Sequence, residues 1–175
     1  MSEPWTTWTA LPEGHALIAL GSNLGDRRGQ LEDAVERLDL HACVRLLASS
    51  SLHRTAPVGG PIGQGDFLNG VVLVRTTLTP EKLLELLHEI EADHGRERVV
   101  LNGPRTLDLD LLLHGEERRE GLALELPHPR IWERTFVLGP LAELCPQLRQ
   151  MRQTPDDGVT VAERLVELSG ASTPG

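Results

Sequence analysis

The chain has 175 residues, with 17 basic and 26 acidic side chains and a formal charge of −9. That length suits one domain, and the charge excludes a nucleic-acid or anionic-membrane binder, which needs a basic footprint. Hydrophobic residues at 39% and charged residues at 25% describe a folded chain, and with aromatics at 3% and no tyrosine its core has to be aliphatic.

Residues 1–14 read as a polar extension bearing Trp5 and Trp8, without the basic start and apolar run of a signal peptide. His15–Leu20 is a short apolar run ended by Gly21-Ser22-Asn23, a buried strand followed by a turn. Asp26 is placed to cap a helix over Arg27–Leu38, with Leu31, Val35 and Leu38 on one face. Val44–Arg54 reads as a second strand, 56–65 as a loop with four glycines and two prolines, and Phe67–Thr77 as a third strand. Thr79-Pro80-Glu81 starts a second helix: a capping side chain, a proline at the first position, then an acid against the dipole. Leu83, Leu84, Leu87 and Ile90 form its apolar stripe, Gly95 ends it, and Thr106–Leu113 is a fourth strand. Further helices are expected near Thr135–Leu144 and over Val161–Leu168, the second with a Thr160/Glu163 capping box. The order strand, helix, strand, strand, helix, strand predicts an α+β sandwich of ferredoxin-like βαββαβ type. Its sheet is mostly antiparallel, helices pack on one face, and extra helices follow at the C-terminal end. Residues 15–168 form the single domain and 169–175 a frayed tail.

Cys43 and Cys145 are too few for a disulfide framework and read as buried, inert thiols. No stretch reaches the ~20 apolar residues of a membrane span, so a cytoplasmic location is expected. Lys82 is the only lysine, a bias toward arginine that is compositional at the surface.

The informative stretch is Gly103–Leu113, GPRTLDLDLLL. In a strand, Leu107, Leu109 and Leu111 face one way and Asp108 and Asp110 the other, their Cα atoms roughly 6.5–7 Å apart. An isolated pair of this kind is more often a solvated acidic face. Here Arg96, Arg98 and Arg105 precede it, so residues 94–114 hold three arginines against three acids and are neutral, while the rest of the chain carries the whole −9. Paired carboxylates suit Mg²⁺ shared with substrate phosphates, and arginines suit phosphoryl transfer. Asn69, inside an apolar strand, is expected to bond backbone unless it reads a polar ligand. His128, between two prolines, reads by itself as a surface histidine. Glu91 at the end of the second helix opposes the dipole and so has another reason to be there. No Walker A motif or dinucleotide fingerprint is present.

IALGSNLGD (18–26), SSLHRTAPVG (50–59), DFLNGVV (66–72), GPRTLDLDLLL (103–113) and LPHPRIWERTFVLGPLAEL (126–144) occur in this order. With these blocks the chain resembles the 6-hydroxymethyl-7,8-dihydropterin pyrophosphokinase family over residues 15–165. The resemblance implies a ferredoxin-like fold and transfer of the β,γ-diphosphate of ATP to the pterin hydroxymethyl group, releasing AMP, in folate biosynthesis. It implies that Asp108 and Asp110 bind two Mg²⁺ ions, that Arg96 and Arg105 act on the triphosphate, and that these four are the catalytic set. Arg98, His128, Arg134, Leu84 and Leu111 complete the ATP neighbourhood. Gly21, Thr55, Pro57, Val58, Phe67, Asn69 and Phe136 match pterin contacts, with Glu91 nearby. Asn102 stands where some members carry a tryptophan, Val99–Leu101 supply no base, Phe67 stands where some members carry tyrosine, and Pro129 where some carry an aromatic. No metal ligand is lost by these departures. Two other readings stay open here: a two-metal nucleotidyl transferase releasing pyrophosphate, and a non-catalytic ferredoxin-like binding domain. A monomer acting on ATP and the pterin, with no nucleic acid or membrane partner, is expected.

Overall fold

The computed structural model describes residues 11–57, 59–96, 103–144 and Glu163. The Trp5/Trp8 segment, Val58, Arg98, Asn102, Cys145, the 169–175 tail and all of the 161–168 helix but Glu163 lie outside the described residues; Glu163 itself is helical.

In chain order the elements are β1 (His15–Ser22), α1 (Arg27–Leu40), β2 (Val44–Ser49), β3 (His53–Thr55), β4 (Phe67–Thr76), α2 (Pro80–Asp93), β5 (Asp108–His114), β6 (Arg119–Glu120), β7 (Glu125–Leu126), a 3-10 turn (Ile131–Glu133) and α3 (Thr135–Leu144). The main sheet runs β2-β4-β1-β5, with β3 also on β4, and every pairing is antiparallel. This is the expected split βαβ arrangement: β1 and β2 flank β4, and β5 closes the other side of β1. The caps form as expected, since Asp26 accepts from Gly29 N at 3.1 Å and Thr79 accepts from Lys82 N at 3.3 Å.

Three boundaries differ from expectation. Gly21 and Ser22 belong to β1 rather than to a turn, because Gly21 is paired on both sides and Ser22 with Leu68 of β4. The expected strand 44–54 is two strands. Between Ser49, opposite Val72, and His53, opposite Asn69, three residues face two, so one residue bulges out. Gly70 makes this possible: a Cβ there would lie 3.0 Å from Leu52 Cδ2 and 3.3 Å from Ser50 Oγ. The fourth strand begins at Asp108, not Thr106, because the Arg105 backbone bonds Asn23 in place of a strand.

The helices do not all pack on one face. Leu31, Ala34 and Leu38 of α1 and Leu83, Leu87 and Ile90 of α2 bury one side of the sheet with Ile18, Val72, Leu109 and Leu111. α3 covers the opposite side, packing Val137, Leu138, Leu141 and Ala142 on Leu17, Ala19, Val71 and Leu113. The alternation of β1 and β4 supplies both cores, even residues to one and odd residues to the other. Cys43 is half-buried rather than buried. Among the described residues no helix is long and apolar enough to cross a membrane.

Candidate active site

Strand register assembles the site on the α3 face. Gly21 lies opposite Asn69 on one side and Asp108 on the other, and Ala19 lies opposite Val71 and Asp110. Cross-strand partners share a face. Asn69, Asp108 and Asp110 therefore project with Val71 and Ala19 into the space at the end of α3. Gly21 contributes clearance: a Cβ there would sit 2.8 Å from Asn69 Oδ1 and 3.7 Å from Phe67 Cδ1. Asn69 is buried, and its Nδ2 donates to Thr55 Oγ1 at 2.6 Å across the β3/β4 pair. Thr55 and Pro57 are half-buried.

Arginines surround the carboxylates. Arg96 Nη1 is 2.8 Å from Asp108 Oδ1, and Arg105 Nη1 donates to Asp108 Oδ2 at 2.6 Å. Arg134 Nη1 is 3.8 Å from Asp110 Oδ2, and its guanidinium lies over the Phe136 ring, 5.4 Å from the centroid. Withdrawal from water first, and then the charge of Asp108, raise the Asp110 carboxyl to about 7, with Arg134 pulling the other way. His128 sits on the outer edge of β5 through its N–H to Leu112 O at 2.9 Å. Its Nδ1 accepts from Arg130 N at 3.2 Å, which leaves the neutral ring's proton on Nε2. Burial, then the charges of Arg134 and Arg130, lower its pKa to about 4, so it is neutral at physiological pH.

Glu91, expected nearby, and Asn23, outside the expected set, hold the site together. Glu91 is buried at 3% exposure. Its carboxylate accepts from Leu109 N at 2.7 Å and from Arg96, whose other contact is Asp108. That is the reason an acid ends α2. Asn23, read from sequence only as part of a turn, accepts from Arg105 N at 2.8 Å and donates through Nδ2 to Gly65 O at 3.2 Å. It thereby ties the Arg105 segment to the base of the glycine-rich loop. A buried side-chain amide beside a strand end is the signal that marks it. Other expected residues are not brought to the carboxylates. Leu111 belongs to the core under α1 and α2, on the opposite face, and Leu84 is half-buried on α2.

Two buried side-chain atoms among the described residues lack a hydrogen-bond partner: Arg96 Nε and Thr106 Oγ1. Arg96 also contacts Asp108, and Thr106 is two residues before it. No group of three or more His, Cys, Asp or Glu among the described residues is arranged to hold a metal ion. Two carboxylates are nonetheless the protein's usual share of a Mg²⁺ site whose remaining oxygens come from substrate phosphates. Their mutual repulsion, visible in the raised Asp110, is what a cation relieves.

The sequence model of one family, 7,8-dihydro-6-hydroxymethylpterin-pyrophosphokinase (HPPK), matches residues 17–146. The chain is 48% identical over 149 residues to a 2-amino-4-hydroxy-6-hydroxymethyldihydropteridine pyrophosphokinase of Bacillus subtilis, covering 83% of this chain and 89% of that one. It is 45% identical over 132 residues to a protein of the same description from Pseudomonas aeruginosa, covering 75% and 81%. Its fold matches a crystal structure of Plasmodium falciparum wild-type HPPK-DHPS with SDX-DHP at a TM-score of 0.62 and 14% identity, covering 87% of this chain and 43% of that one. With its residues 17–146 matched by the family model and close to half of its aligned positions identical to curated members, the chain belongs to the 7,8-dihydro-6-hydroxymethylpterin pyrophosphokinase family.

Proposed function

We propose that Asp108, Asp110, Arg96 and Arg105 are the transfer machinery of this diphosphokinase. The enzyme moves the β,γ-diphosphate of ATP to the hydroxymethyl group of 6-hydroxymethyl-7,8-dihydropterin, releases AMP and serves folate biosynthesis. The carrying observation is the carboxylate pair on one sheet face with Arg96, Arg105 and Arg134 drawn onto it.

Mg²⁺ held by Asp108 and Asp110 together with ATP oxygens would neutralise phosphate charge. Arg96 and Arg105 lie on the same carboxylate and present guanidiniums toward the triphosphate; the unpartnered Arg96 Nε is a donor kept for a phosphate oxygen. Glu91 aims Arg96. Neutral His128 offers its Nε2–H as a hydrogen-bond donor rather than a charge. Asn69, turned over Gly21 and anchored on Thr55, reads the edge of the pterin ring, with Phe67, Pro57 and Phe136 as apolar walls. The hydroxymethyl oxygen attacks the β-phosphorus in line. Among the described residues the carboxylate pair, read as the metal ligands, is the basic group of this face, and a loose transition state asks little of a further base. Orientation and fixed positive charge supply the acceleration. A monomer is the proposed working unit. Residues 15–168 act as its single domain.

Incubation with ATP, Mg²⁺ and the reduced pterin is expected to yield AMP and the pterin diphosphate in equal amounts. Release of free pyrophosphate, or no pterin product, would overturn the reading.

A further inference from the structure

We propose that Glu143 is a positioning residue for the pterin, holding β3 and its Thr55–Pro57 wall at a set distance from Phe136 on the same helix. The proposal rests on the reading of Thr55, Asn69 and Phe136 as pterin contacts.

Glu143 lies in the last turn of α3, Phe136 in the first. Seven residues separate them, about two turns or ~10 Å of rigid helix. The Glu143 carboxylate accepts three hydrogen bonds from the segment that leads into the wall. Ser51 N donates to Oε1 at 2.7 Å, Ser51 Oγ donates to Oε2 at 2.8 Å, and His53 Nε2 lies 2.6 Å from Oε2. Two residues after His53, Thr55 accepts from Asn69. One helix therefore carries an aromatic wall at its start and grips the opposite wall from its end.

β3 needs such a grip. It has three residues, follows a bulge and pairs with β4 alone among the described strands. The apolar contacts of Leu138, Leu141 and Ala142 fix the height of α3 over the sheet. Such contacts are not directional. The hydrogen bonds of a carboxylate are directional. A lone exposed ion pair would do little, but here one serine is held at two points, backbone and hydroxyl. Those bonds, with the one from His53, keep the Glu143 pKa at about 2, so the grip is ionised throughout the working range. The trio is not a nucleophilic triad. Ser51 Oγ and Glu143 Oε2 both meet Nε2 of His53, at 3.3 Å and 2.6 Å, so the acid is not on the far ring nitrogen from the serine.

Steady-state kinetics of the full chain with both substrates tests this. Glu143→Ala is expected to raise KM for the pterin about tenfold, the scale of one lost charged hydrogen bond. KM for ATP should stay within about twofold. Glu143→Gln, whose amide can still meet Ser51 and His53, should recover most of the loss, and Ser51→Ala should fall between. An unchanged pterin KM, an equal rise for both substrates, or a Gln variant as impaired as Ala overturns the proposal. If Glu143→Ala does not fold, Ser51→Ala decides: a rise confined to the pterin supports the grip, and no rise overturns it. Asn69→Ala separates the two levels of inference. If it leaves the pterin KM unchanged, the wall itself is misassigned; if it raises KM while the Glu143 variants do not, only the grip fails.

Discussion

Asp108 and Asp110 are two residues apart and differ in their surroundings. Asp108 is held by two guanidiniums at hydrogen-bond distance, whereas Asp110 has Arg134 at 3.8 Å and the charge of Asp108 beside it. The arginines thus neutralise Asp108 more fully than Asp110. Losing Arg105 should slow the chemical step by roughly 10²–10³-fold, the scale of one preorganised donor, and weaken ATP binding less. Measured kcat and ATP Kd for Arg105→Ala check this, and a pure affinity loss would make it a ground-state contact. His128 gives a pH signature. Its folded-state pKa of about 4 lies below the ordinary 6.5, so the folded chain binds fewer protons than the unfolded chain between those values. Stability contributed by the neutral ring is complete above pH 6.5 and is lost as pH falls toward 4. Melting temperatures of the wild type and His128→Gln should therefore converge or cross on acidification from pH 7 to 4.5. A constant difference would show the imidazole to be unperturbed. The aspartates and arginines were legible in sequence because they sit within one strand and its approach. Glu143 was not, because Ser51 is 92 residues away and no spacing rule connects them.

Periodicity and caps located most elements, since each such signal is local. α2 begins at Pro80 behind Thr79 as its cap chemistry dictates, and Leu107, Leu109 and Leu111 all enter one core. The bulge after Ser49 was invisible, because it depends on Gly70 of another strand making room. The side of the sheet taken by α3 was likewise set by odd-numbered residues of β1 and β4 whose partner lies far along the chain. The Gly21 row carries a prediction. In Gly21→Ala the new methyl displaces the Asn69 side chain, the end of a movable group, so the melting point should drop only modestly. Asn69 would lose its bond to Thr55, however, and KM for the pterin should rise about tenfold. A large stability loss with no change in KM would mean that the glycine serves packing alone.

Over the whole molecule, the covering of both faces divides labour. The side under α1 and α2 is an aliphatic core, and the side under α3 is core at one end and carries Asn69 and the carboxylate pair at the other. The family resemblance read from five sequence blocks agrees with the 17–146 match, while Val58 and Arg98 lie outside the described residues. The same architecture has a consequence at the sheet's margins. Asp39, near the end of α1, accepts from Leu46 N on the outer side of β2 at 2.8 Å, and Glu91, near the end of α2, does so for Leu109 N on β5. Each helix thus plugs the rim of the strand that follows it with a carboxylate. An open rim invites another chain to add a strand. Glu91 therefore guards against edge-to-edge aggregation with the same Oε1 that holds Arg96, so a substitution there would open the rim and release the arginine together.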